Sequence, residues 1–94
     1  MGEGSYKAAK GLIRVRVQVE TNKIWRVTIS GDFFMHPEDK LWELERTLEE
    51  TPTLKEVILA KVRAFYDKTK IITPGVNPED FAEAIMRGVE DKTS

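Results

Sequence analysis

Ninety-four residues suffice for one small domain and not for two, because a chain of this size has little surface to spare for a second core. Hydrophobic residues at 40% and charged ones at 33% describe a chain that folds in water, while the absence of cysteine and a single histidine, His36, exclude disulfides, thiolate zinc sites, cysteine nucleophiles and multi-histidine metal centres. A net charge of -1 conceals a basic first third, with six basic against two acidic side chains over residues 1–31, followed by seven acidic against two basic over 32–50.

No apolar run nears the ~20 residues that a membrane span needs, and the first residues lack the apolar stretch of a secretory signal, so the cytoplasm is the expected address. Loose ends are expected over about residues 1–6 and 91–94 of a single domain covering 1–94.

Over about 12–20, Ile13, Val15, Val17 and Val19 alternate with Arg14, Arg16, Gln18 and Glu20, the period of two of a strand buried on one face. Thr21, Asn22 and Lys23 form a polar turn. A second run over about 24–30 then sets Trp25, Val27 and Ile29 on one side and Arg26, Thr28 and Ser30 on the other, which predicts an antiparallel hairpin. If that register continues, Gly31 and Phe33 point into the core while Asp32 and Phe34 point away.

Pro37 suits the first position of a helix over about 37–50, with Glu38 and Asp39 in its first turn and Leu41, Leu44 and Leu48 along one face. Thr53 and Glu56 have capping-box spacing ahead of a helix over about 54–66. Residues 67–76 read either as a loop or as a short strand at Ile71 and Ile72, with Pro74-Gly75 marking a turn. Asn77 then caps, and Pro78 starts, a helix over about 78–90. The pattern is α+β: a small antiparallel sheet built on a hairpin and covered by three amphipathic helices. Two strands alone are marginal, so the helices or a further strand must support them.

Chemistry-bearing groups are sparse. Asp32 and His36 form a conceivable acid-base pair four residues apart, but His36 sits where a helix cap or an exposed loop residue belongs. Gly31 stands alone before "DFF", without the several glycines of a phosphate cradle. Phe34 is the unexplained residue: either it meets another body, or the first or second helix folds over it. A second functional class, a small nucleic-acid-binding module, would use Arg14, Arg16 and Arg26; the predicted register argues against it by turning Trp25 and Phe33 toward the core.

The run "GLIRVRVQVETNKIWRVTISGDFF", Gly11 to Phe34, followed by a Pro-started helix, resembles the C-terminal accessory domain of lipoate-protein ligases. The likeness continues through the three helices to "NPEDF" at the start of the last. In that family a large domain binds lipoate and ATP, forms lipoyl-adenylate and transfers the lipoyl group to a lysine of an acceptor protein. The large domain's ligand motif and catalytic lysine segment do not occur here.

The resemblance therefore implies the free-standing accessory subunit of a two-subunit, archaeal-type ligase. It would form a heterodimer with the catalytic subunit and serve lipoyl-domain acceptors indirectly. It would bind no cofactor alone, while the complex would use ATP, Mg and lipoate. On this reading Gly31 permits the tight exit from the second strand, Asp32 makes a polar contact or caps the turn, and Phe33 anchors the loop. Phe34 and His36 then face the partner. Lys7, Lys10 and Gly11 match the family's lysine-then-glycine start of the first strand and would lie near the catalytic subunit or its nucleotide.

Overall fold

The computed structural model of the protein describes residues 2–91, so the expected C-terminal loose end lies, past Asp91, outside the described residues. In chain order the elements are β1 (Gly2–Ala8), β2 (Gly11–Glu20), β3 (Lys23–Asp32), α1 (Lys40–Thr47), α2 (Lys55–Thr69) and α3 (Pro78–Glu90). They form the α+β arrangement that the sequence pattern predicts, with one antiparallel sheet in the order β1-β2-β3.

The predicted hairpin is present, closed by Thr21 and Asn22 at φ 54° and 61°, the left-handed pair that matches the twist of the flanking strands. Lys23, expected in the turn, is already in β3.

Two departures matter for what the molecule exposes. First, the N-terminal segment expected as a loose end is a strand, β1, paired with β2 from Gly2↔Val17 to Ala8↔Gly11. Its inner face carries glycine where a strand normally shows an apolar side chain, which is why alternation did not reveal it. The glycines leave room for α3: a Cβ on Gly2 or Gly4 would run into the backbone of Gly88, and one on Gly88 would stand 2.8 Å from Val17 and 2.9 Å from Val15.

Second, pairing steps from Gln18↔Arg26 to Val19↔Ile24, so Trp25 is the extra residue of a β-bulge. The bulge resets the alternation. Ile24 is fully buried and Trp25, expected in the core, is 54% exposed.

The inner face of the sheet, with Ile13, Val15, Val17, Val27 and Ile29, packs with Phe81 and Ile85 of α3, Ile58 and Val62 of α2 and Leu44 of α1 in one buried cluster. At roughly 25 cal/mol per Å² of apolar surface removed from water, this burial is the main stabilising term.

The helix starts also differ in detail. The backbone of His36 is tied to Ile72 in both directions, N–H to carbonyl, at 2.9 Å, so Pro37 follows a pinned, bridged residue. Residues 37–39 then form tight turns, with the amides of Lys40 and Leu41 donating to Pro37 and Glu38, and α1 begins at Lys40 instead of Pro37. Past Thr47 the chain continues in turns, not helix, to Glu50 at φ 65°.

Thr53 does not cap α2. Its amide and hydroxyl donate to the carbonyl of Asn22, Leu54 takes the cap position, and the helix continues beyond Tyr66 to Thr69. The 67–76 stretch is settled as the end of α2, the bridge at Ile72 and a turn. Asn77 and Asp80 form the capping box of α3, behind Pro78.

A candidate docking surface at one end of the sheet

The β1–β2 turn and the exit of β3 lie at the same end of the sheet, because Lys7 pairs with Leu12 and Leu12 with Asp32. Gly31 has φ 136°, and a Cβ there would strike the carbonyl of Leu12, so the chain can leave the strand this way only with glycine. A Cβ on Gly11 would stand 2.7 Å from the carbonyl oxygen of Asp32 and 2.8 Å from the Cβ of Phe33. Lys10 donates its amide to the carbonyl of Gly75 at 3.1 Å. The structure thus brings Lys7, Lys10, Gly11, Gly31, Asp32 and Phe33, distant in sequence, to one place.

The two phenylalanines part there. Phe33 turns inward and meets Phe81 edge-on, with ring centres 5.5 Å apart at 84°. Phe34 stays 60% exposed, uncovered by either helix, and Met35 is buried again. His36 is exposed, and no hydrogen bond or ion pair joins it to Asp32, so the conceivable acid-base pair is not assembled. The Asp32 side chain has no polar partner among the described residues, so it does not cap the turn.

Sequence reading missed Trp42. It lies off the Leu41, Leu44, Leu48 stripe and is 69% exposed on α1; an aromatic on the polar face of a helix was the signal available. Phe34 and Trp42 line one groove of about 560 Å³, with Gly31, Phe33 and Met35 from the β3 exit and Leu41 from α1. Glu38 and Asp39 also line it.

Both edges of the sheet are blunted by side chains. At the β3 edge the amide of Ile29 donates to Glu45 at 2.7 Å. Burial pushes the Glu45 carboxyl above its ordinary range, an effect that the bond from Ile29 partly offsets. At the β1 edge the amide of Glu3 donates to Asp91 at 2.9 Å, and Arg87 donates to the carbonyl of Ser5 at 3.1 Å.

The outer face of the sheet carries Arg14, Arg16 and Thr28, with Arg26 and Trp25 exposed at the bulge. Arg16 lies 3.8 Å from Glu3, whereas Arg14 and Arg26 have no ion pair among the described residues. Among the described residues no group of three or more His, Asp or Glu could hold a metal ion, and no helix is long and apolar enough to cross a membrane.

Comparison with known proteins converges on one family. The family described as the bacterial lipoate protein ligase C-terminus matches residues 3–85. Lipoate-protein ligase A subunit 2 of Thermoplasma acidophilum is 47% identical over 81 residues, which cover 86% of this chain and 83% of that protein. A chain from the structural analysis of an archaeal lipoylation system, a bi-partite lipoate protein ligase and its E2 lipoyl domain from Thermoplasma acidophilum, superposes with a TM-score of 0.81. It is 46% identical, over 88% of this chain and 91% of that one.

Proposed function

The chain belongs to the family of the bacterial lipoate protein ligase C-terminus, and on that premise we propose that it is the accessory subunit of a two-part lipoate-protein ligase, acting on a separate catalytic subunit. The observation that carries this reading is the match over most of both lengths to a protein that is itself named as a subunit 2. The arrangement at the sheet end supports a surface role: Gly31 and Phe33 fix the loop, and Phe34 and His36 stand exposed on it.

ATP, held with Mg²⁺ in the catalytic subunit, would supply the adenylyl group that activates lipoate as lipoyl-AMP before transfer to a lysine of a lipoyl domain. This chain's own contribution is to order or close that active site, positioning the reactants and keeping water from the activated acyl group. Lys7 and Lys10, exposed beside Gly11 at the same sheet end, are the cations best placed to approach an anionic substrate across the interface.

Lipoate-dependent ATP–pyrophosphate exchange, measured with the catalytic subunit alone and with this chain added, tests the reading because exchange reports activation apart from transfer. Exchange is expected only, or far faster, on addition. Full exchange by the catalytic subunit alone would overturn the proposal. It would also turn attention to the basic outer face, where exposed Trp25 beside Arg26 favours a second reading, nucleic-acid binding by Arg14, Arg16 and Arg26.

A further inference from the structure

We infer that the groove between the exit of β3 and the start of α1 is where the catalytic subunit grips this chain, through an apolar side chain flanked by Lys or Arg. The inference rests on the accessory-subunit reading and adds to it a place and a chemistry.

Single exposed aromatics are common on protein surfaces, but Phe34 and Trp42, 60% and 69% exposed, converge on one cleft from different elements. Its volume of about 560 Å³ falls in the range that accepts a large side chain with part of its neighbours. The charged residues that line it are both acidic. Glu38 and Asp39 line the groove, Asp32 lies just upstream of Phe33, and none of the three carboxylates has a polar partner among the described residues. An apolar centre within a charged, solvated rim is the anatomy of an interface hot spot, and the complement to this rim is cationic.

Two other exposed features fit the role less well. Trp25 lies at the far end of β3, at the bulge. The apolar groove along α2, with Val57, Ala60 and Ala64, is flanked by Lys61 and Lys68 and lacks an exposed aromatic.

The test is a calorimetric titration of the catalytic subunit with the whole chain and with Phe34→Ala, Trp42→Ala, a Glu38→Lys/Asp39→Lys pair and, as a distant control, Trp25→Ala. Each variant is first checked by thermal melting. Each aromatic truncation is expected to weaken binding at least ~10-fold. The charge-reversed pair should bind more weakly at low salt, by a margin that shrinks at high salt, and Trp25→Ala should match the parent.

If Phe34→Ala perturbs the fold, Trp42→Ala and the charge pair still decide. Parent binding with all groove variants within ~2-fold of it would overturn the groove while leaving the accessory-subunit reading intact. Loss of binding in Trp25→Ala alone would move the interface to the outer sheet face and overturn the inference. A homodimer of the isolated chain that Phe34→Ala or Trp42→Ala dissolves would make a second copy the occupant and overturn it as well. No binding and no exchange by the parent would instead remove the accessory-subunit reading itself.

Discussion

Thr51 is fully buried, accepts the amide of Ile24 at its carbonyl, and finds no partner for its hydroxyl among the described residues. Valine has the same shape without the stranded polar group, so Thr51→Val should raise the free energy of unfolding by about 1 kcal/mol, read from the urea midpoint. A loss of stability would show that the hydroxyl is satisfied in solution. Thr51 gave no sign of this in the sequence, since satisfaction depends on neighbours from β3 and the end of α1. Phe33 and Phe34 were legible: period two continued past Ser30 places one inside and one outside, and the structure agrees. Trp25 was not, because "KIWRV" offers two adjacent apolar residues for one inward position, and only the bulge decides that Ile24 takes it.

At the scale of elements, the sheet ends in two edges that side chains close, and Glu45 does so at the expense of its own hydration. Its folded pKa lies above its unfolded value, so the folded state holds the proton more tightly. The group therefore costs stability as pH rises through the window between those two values. Glu79 and Glu83 act in the opposite sense: Arg63 and Lys55 hold their pKa values below the ordinary range, and that contribution fades on acidification. Glu45→Gln keeps an acceptor for Ile29 and removes the charge. Its stability relative to the parent should be higher at pH ~7 than at pH ~3.5, as urea midpoints at the two values would show. An unchanged difference would mean that burial does not outweigh the Ile29 bond and that the carboxyl's pKa is not raised on folding. The existence and type of the hairpin and of all three helices were legible from periodicity, whereas their ends were set by tertiary bonds: Ile72 holding His36 ahead of α1, and Asn22 engaging Thr53 ahead of α2.

For the molecule as a whole, β1 carries more than its modest sequence suggests. It pairs along its full length with β2, lies under α3, and brings Tyr6 beneath the guanidinium of Arg87, 5.0 Å from the ring centre. Deleting residues 2–8 would leave a two-stranded sheet and strip α3 of the surface it lies on. The expected outcome is loss of a cooperative thermal transition by circular dichroism; a sharp transition near the parent midpoint would reduce β1 to an ornament on a self-sufficient hairpin. The α+β class could be read from the sequence because two strands and three helices were each periodic. The third strand could not, because helix and strand here meet through glycine, which carries no hydrophobic signal.

That seam of Gly2, Gly4 and Gly88 also has a mechanical meaning. Side chains give a packed interface its play, since rotamers can shift to absorb a neighbour's movement, and backbone resting on backbone has no such adjustment. α3 carries Phe81, Phe81 holds Phe33 edge-on, and Phe34 follows by one peptide bond. The exposed ring is thus mounted, through half-buried Phe33 and fully buried Phe81, on a helix whose seat on β1 is backbone against backbone.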